Sequence, residues 1–398
     1  TDALLDGMMV APGSSLTVNG DNIDLRHLYV TQGATLNAPE ATITLNRKNQ
    51  VTTQKYAEFE VLGSLTAKNL NLAFKADGNR AHVVAGGATL KLSGKLNIGS
   101  DDTNGLGAVV VADTLDMDNS GSIFVDPPYG KKASALIINK LTENKVKGKL
   151  TVGQNAITAI GFADEASAMA VVADYLDANG SFNPSSRVKN ALVINKPITV
   201  ADGANISLGP NVDPNGNTGS SAVNVAKGAG LIITDAALTN PTTGAKDQVA
   251  IKVDGSDKKV SIDAHTPVLL AGKFTAADRN LKLFSGSGLT LENEVKGQSV
   301  NGMLTFTVGK NGQVAEIKLD YDKLQSQMAK TSGPVRDLVG KILGDDSAKY
   351  VTSGLGYDYL HDVATTSVNG AEIDAVAHAA TFAGAQVAAV AAVGTMAE

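Results

Sequence analysis

Val30-Thr31-Gln32-Gly33-Ala34-Thr35-Leu36 and Val84-Ala85-Gly86-Gly87-Ala88-Thr89-Leu90 share one pattern: Val, two variable residues, Gly, Ala or Ser, one variable residue, then Leu or Ile. Three more copies run Val10-Gly13-Leu16, Val200-Gly203-Ile206 and Val225-Gly228-Leu231, and a copy one residue shorter sits at Val61-Gly63-Leu65. The physical reading is a strand that ends at Val, a turn whose Gly takes positive φ, and a new strand that opens at Leu or Ile. The new strands alternate, as in Leu16-Thr17-Val18, Leu90-Lys91-Leu92 and Ile206-Ser207-Leu208. A period of two turns one face inward.

A longer echo supports the short one. Ala135-Leu136-Ile137-Ile138-Asn139-Lys140 returns further along as Ala191-Leu192-Val193-Ile194-Asn195-Lys196, and Leu150-Thr151-Val152-Gly153 returns at the same offset as Ile206-Ser207-Leu208-Gly209. Leu96-Asn97-Ile98-Gly99 precedes Leu150-Thr151-Val152-Gly153 by nearly the same interval. The spacings fit a unit of about 20–30 residues, the range of solenoid repeats. Such a unit is too short for a crossover helix between neighbouring strands, which favours a parallel β-helix over a βαβ sheet. Val30, Val84, Val200 and Val225 are then expected to form one internal column, with Thr17, Lys91, Thr151 and Ser207 facing outward. Residues from about 10 to 285 would make roughly 11–13 coils, a rod on the order of 50–60 Å long at about 4.8 Å per coil. A β-sandwich or barrel with similar alternation is the alternative, and the scarcity of hairpin signals before residue 300 weighs against it.

Composition agrees. The chain has 398 residues, 41 Gly, no Cys, no Trp and only 4% aromatics. A single core rarely grows past roughly 250–300 residues, so the length implies several domains or one elongated array. Apolar residues at 43% against 19% charged exclude a disordered chain. The absence of Cys excludes disulfides and Cys-ligated zinc or iron–sulfur centres. Thirty-four basic against 40 acidic residues give a net charge of −6. That argues against nucleic acid or anionic membrane as the main partner, since both demand clustered Lys and Arg and the largest cluster is Lys131-Lys132. Thr1-Asp2-Ala3-Leu4 shows no basic segment followed by an apolar stretch, so a signal peptide is expected to be already removed or never present.

Several segments leave the repeat. Residues 99–105 and 209–219 read as polar loops after equivalent strands, and Asp126-Pro127-Pro128-Tyr129-Gly130-Lys131-Lys132 reads as a stiff turn carrying an aromatic and charges. Asp164 to Leu176 reads as a short helix with Ala166, Met169, Ala170 and Ala173 on one face. Met303 to Val308, the turn Gly309-Lys310-Asn311-Gly312, and Gln313 to Leu319 read as a hairpin suited to cover an open strand edge. From 321 the pattern turns helical, with Asn369 and Glu372 as an N-cap pair. The Ala-rich stretch 370–398 would run about 40 Å as one helix, packed on the rod, frayed, or threading a pore.

Catalytic signatures are missing. Ser285-Gly286-Ser287-Gly288 has the letters of a nucleophile elbow in the wrong register. No P-loop and no His-Glu-x-x-His occur, and His27, His82, His265, His361 and His378 are scattered. Asp213-Pro214-Asn215-Gly216-Asn217 opens like a calcium loop but has Asn224 where the twelfth-position Glu belongs. Turn chemistry accounts for it better. Asp101 and Asp102 could line a sugar-cleaving groove, but a loop pair is more often simply solvated. No cofactor or metal is expected.

With these residues in view, the chain resembles the passenger domains of type V autotransporters, in particular self-associating adhesins of the AIDA and antigen 43 type. The likeness rests on the Val-x-x-Gly-Ala-x-Leu turn and its alternating strand over residues 1–285. The segment 286–320 resembles the autochaperone cap of such passengers, and 321–398 the linker helix towards a translocator barrel that this chain lacks. The expected fold is all-β: a right-handed parallel β-helix with a C-terminal hairpin cap and a helical tail. The resemblance implies a bacterial cell-surface or outer-membrane protein, or one released extracellularly. It implies self-association with like passengers, biofilm formation and attachment to host surfaces; the missing catalytic signatures add the expectation of no enzymatic activity, and the charge balance that of no nucleic-acid partner. The alternative is a dedicated glycan or matrix-protein binder acting through protruding loops, with Asp126, Tyr129, Lys131 and Lys132 as ligand contacts. A β-helical polysaccharide-degrading enzyme stands behind both.

Overall fold

The computed structural model describes residues 3–46, 59–73, 81–99, 108–118, 122–125, 134–153, 156–172, 190–209, 220–272, 280–299 and 304–319. The turns, loops and tail predicted at 100–105, 126–132, 210–219 and 321–398 lie outside these residues, as do Asp213, His361 and His378. Among the described residues the chain is mostly strand, with 23 strands joined in one hydrogen-bonded sheet and 4 in a second. Pairing is parallel almost throughout. It turns antiparallel only at the end, where Val295–Ser299 pairs with Leu304–Val308 and that strand pairs with Val314–Leu319.

Register sorts the strands into three rows that the chain visits in a repeating order. The second row is the simplest. Leu16, Leu36, Leu65, Leu90, Leu115 and Leu141 are consecutive partners across parallel strands. All are buried except Leu16, at the end of the column, which is 38% exposed. In the third row Ile23, Ile43, Leu70, Leu96, Ile123, Leu150, Ile206, Val223, Val260 and Leu291 stack in the same way, every one of them buried. The first row carries Ala112, Ile138, Ile160, Ile194, Ile233 and Leu270. The separate sheet of Lys145–Val146, Ile198–Val200, Ile251–Ser256 and Phe284–Ser287 falls, like the second row, between first-row and third-row strands in sequence. The inward columns of all the rows join one aliphatic cluster.

The glycine turns behave as the sequence demands. Gly13, Gly33, Gly203 and Gly228 have φ of 69°, 76°, 82° and 83°, the region where a side chain would be strained. The four repeat valines, however, do not share a column. Val30 pairs with Val10 and Val61, Val84 with Glu60, Val200 with Val146 and Val253, and Val225 with Leu208 and Ile262. The same turn serves different corners of the fold, so identical local sequence ends in different rows. The longer echo divides likewise. Leu150 to Val152 pairs directly with Ile206 to Leu208, whereas Ala156–Ile160 stands between the two Ala-Leu-x-Ile strands.

Ala135 to Ile138 and Ala191 to Ile194 are apolar at every position because the middle of the first row is covered on both sides. Its outer face, with Ala135, Ile137, Ile157, Ala159, Ala191 and Val193, forms a second cluster with Phe162 and the helix Glu165–Val172. The Asp164 carboxylate accepts the Ser167 N–H at 2.8 Å and caps that helix. The helix faces the sheet with Ala168, Met169 and Val171, while Ala166 and Ala170 of the predicted face are exposed. Ala173 lies outside the described residues. The short helix is oriented by the Phe162 contact rather than by its own periodicity, since almost every residue in it is small or apolar.

A few inward positions break the pattern, one of them between two leucines. Thr158 stands between Leu136 and Leu192 in the first row, is fully buried, and its Oγ1 has no hydrogen-bond partner. A buried polar atom left unsatisfied costs about 1–3 kcal/mol. Thr158→Val keeps the shape and removes the hydroxyl, and is expected to raise the unfolding free energy by ~1 kcal/mol in urea titrations. Leu90→Ala in the middle of the leucine column is expected to lower it by about 2–5 kcal/mol. An unchanged or lower midpoint for the first, or a neutral second, would contradict this packing.

Candidate binding surface

Alternation places the even partners of the leucine column on the outer side of the second row. Ser15, Thr35, Ser64, Thr89, Thr114 and Lys140 pair in succession there, and beside them run Thr17, Asn37, Thr66, Lys91 and Asp116. Ser15, Thr17, Lys91 and Lys140 are exposed and the remainder half-buried. Neighbouring strands lie about 4.8 Å apart, so the face presents hydroxyl, amide and charged groups at regular intervals on a stiff backing.

Thr17 and Lys91 thus lie outward as the sequence predicts. Thr151 and Ser207 do not: they are 3% and 0% exposed. Both sit on the outer side of the third row, where Ser207 is flanked in register by Thr151 and Asn224. Asn224 Nδ2 donates to Ser207 Oγ at 3.3 Å and to the Ser221 carbonyl at 2.8 Å, while the Ser221 and Ser261 hydroxyls hydrogen-bond at 2.6 Å. Higher up the same row the amides of Asn97 and Asn71 hydrogen-bond across strands, Nδ2 to Oδ1, at 2.7 Å.

A polar seam fixes the corner between first and second rows. Asn139 Nδ2 donates to Asp113 Oδ1 at 2.9 Å, and Lys196 Nζ donates to Asn139 Oδ1 at 2.9 Å. On the next passes Asn195 Nδ2 donates to the Gly161 carbonyl at 2.8 Å and Thr234 Oγ1 to Asn195 Oδ1 at 2.7 Å. Gly161 has φ of 99°, and a Cβ there would meet Lys196 and Asn195. The hydrogen bond from Asn139, helped by one from Thr114 and the charges of Lys140 and Lys196, holds the Asp113 carboxyl below its ordinary range against partial desolvation. Beside the seam, Thr89, Thr114, Lys140 and the turn Thr142–Asn144 border an open hollow of about 480 Å³. Glu143 and Asn144 in that turn take φ of 57° and 55°. The Glu143 carboxylate is tied to Lys147 Nζ at 2.8 Å, which lowers its pKa.

The predicted contacts Asp126, Tyr129, Lys131 and Lys132 lie outside the described residues, as do Asp101 and Asp102. His27 and His82 lie in strands of the first row. His265 is exposed, with Nδ1 3.8 Å from Asp263 Oδ1. Among the described residues no group of three or more His, Asp or Glu could hold a metal ion. Sequence reading passed over a cleft of about 750 Å³ where the hairpin meets the first row, with Lys227, His265, Lys296 and Thr307 on its walls. Its residues come from separate segments, and the alternation of Val295-Lys296-Gly297-Gln298 was the one local sign that Lys296 faces out.

The seam makes a pH prediction. A carboxyl whose folded pKa lies below its unfolded value adds stability that is complete above the unfolded value and is lost as pH falls through the folded one. For Asp113 the loss therefore occurs below its ordinary value of 3.8. In Asn139→Ala the Asp113 titration, followed by carboxyl NMR, is expected to move up towards that value. Thr114→Ala should move it less, and an unmoved midpoint in Asn139→Ala would remove the seam as the cause.

The chain matches no protein-family model, no curated protein and no solved structure.

Proposed function

We propose that the three rows are the faces of a right-handed parallel β-helix and that the chain is the passenger of a bacterial surface adhesin, acting by self-association rather than catalysis. The observation that carries the reading is the hydrophilic ladder on the outer side of the second row, Ser or Thr on five consecutive strands and Lys140 on the sixth, each of them exposed or half-buried. Each cross-contact on such a face is weak, but contacts held at fixed spacing engage together, and their sum exceeds any one of them. Rigid backing matters here because ordering the face has already been accomplished in folding, so little further entropy is lost on association.

On this reading biofilm formation and attachment to host surfaces follow from many copies displayed at one cell surface. The partners are like passengers first, with host matrix proteins or glycans after them and the translocator barrel of the same precursor as the anchor. The tail at 321–398 would lead towards that barrel. Among the described residues no helix is long and apolar enough to cross a membrane, which says nothing of a barrel.

Two measurements test the proposal separately. In small-angle scattering the chain is expected to be elongated. The first row holds 11 consecutively paired strands, so its axial extent is about 48 Å at roughly 4.8 Å per step. A compact bilobed profile would reject the β-helix. On the surface of a non-aggregating cell the chain should cause settling. The triple variant Thr35→Arg, Thr66→Arg, Thr89→Arg should slow settling at least several-fold by placing like charges on both partners, with the circular dichroism unchanged. Settling at the original rate would show that this face is not the contact.

A further inference from the structure

The hairpin end of the first row carries a cleft with Lys227, His265 and Lys296 in its lining. The cleft there has a volume of about 750 Å³, within the range of about 300–1,000 Å³ typical of small-molecule sites. Its floor follows from register. Lys296 pairs with Thr307, Gln298 with Thr305, and Leu269 with Gln298. Val295, Gly297 and Ser299 are buried, so alternation turns Lys296 and Gln298 outward. Phe306 lies on the opposite side, packed where a Cβ on Gly297 would be, and this contact holds the antiparallel strand against the floor.

The walls are two corner loops on successive passes, which bring Lys227 and His265 to the rim, with Pro267 at the foot of the second. The loops are tied together: the Gly228 N–H donates to Thr266 Oγ1 at 3.3 Å. The one carboxylate in these loops, Asp263, accepts the His265 N–H at 2.9 Å and the Thr266 hydroxyl at 3.3 Å. It faces a different hollow, so among the described residues no carboxylate lines the cleft. In a chain of net charge −6, a cleft bounded by two ammonium groups, with no acidic residue among the described lining and with its one imidazole held 3.8 Å from Asp263 Oδ1, runs against the average of the surface.

We infer that this cleft binds an acidic saccharide, a short chain of sugar rings bearing carboxylate or sulfate groups. Each part of the lining has a counterpart in that chemistry. Lys227 and Lys296 meet the acid groups, charge-assisted hydrogen bonds being the stronger kind. Thr305, Thr307 and Gln298 exchange hydrogen bonds with ring hydroxyls. Pro267 and the aliphatic stems of the lysines offer apolar surface to the C–H face of a ring. Two lysines are too few to follow a nucleic-acid backbone. The site is on the first row, away from the second-row ladder, and the inference does not rest on self-association.

The test uses the full chain and titration calorimetry with tetragalacturonate, its methyl-esterified form and sodium sulfate. Saturable binding of the acid form is expected, with the ester at least tenfold weaker. Lys227→Glu with Lys296→Glu, both at exposed positions, should weaken the acid form at least tenfold while circular dichroism and the settling rate stay as they were. Raising sodium chloride from 0.05 to 0.5 M should weaken binding in the original chain, as expected for contacts between charges near the surface. No saturable binding, equal binding of acid and ester, binding unaffected by the double variant, or sulfate binding as tight as that of the saccharide would each overturn the inference. Loss of settling in the triple threonine variant with saccharide binding retained would leave it standing.

Discussion

The structure depends on stacking like upon like in parallel register. Ten aliphatic side chains from Ile23 to Leu291 form one column of the third row, and each meets its successor at the strand spacing. A parallel ladder holds residues of equal phase together, so a side chain that fits between its two neighbours fits at every level. That repetition favours Val, Leu, Ile and Ala at inward positions, and large rings are buried towards the hairpin end, as Phe284 and Phe306 are. The same limit makes Thr158 conspicuous, because its hydroxyl is buried between two leucines and makes no hydrogen bond.

With the interior so constrained, difference is confined to the outer sides. In the middle of the first row the outer side is apolar and roofed by the helix Glu165–Val172. The second row keeps a hydrophilic ladder open, and the third row closes part of its own with Asn224 and Ser221. Corners between the rows are held by side-chain amides and hydroxyls rather than by apolar packing, as in the chain of bonds from Asp113 through Asn139 to Lys196.

Much of this was legible in the sequence because two local rules are strong: alternation names the inward residues, and glycine at positive φ names the turns. Leu90-Lys91-Leu92 points inward, outward, inward, and Gly33 and Gly203 take the conformation their pattern requires. What local rules do not contain is which row a turn leads into. Val200 and Val225 follow the same heptapeptide logic as Val30 yet end beside different partners. Nor does alternation reveal what lies over an outward residue. Ser207 has the phase of a surface position, yet it is fully buried, with Asn224 of the next strand hydrogen-bonded to it. The cleft by the hairpin was hidden for a related reason, since its lining is assembled from corner loops and strands that no single stretch of sequence contains.

More than thirty residues, the helix Glu165–Val172 among them, separate Ile160 from Ile194 in sequence, a detour after which Ile194 is paired directly beside Ile160. Register on either side of the detour is therefore indifferent to how long the detour is. Evolution can lengthen such excursions, and a protein engineer can graft foreign peptides into them, without disturbing the tiers above or below. The fold is in this respect a display scaffold whose cargo and frame are chosen independently.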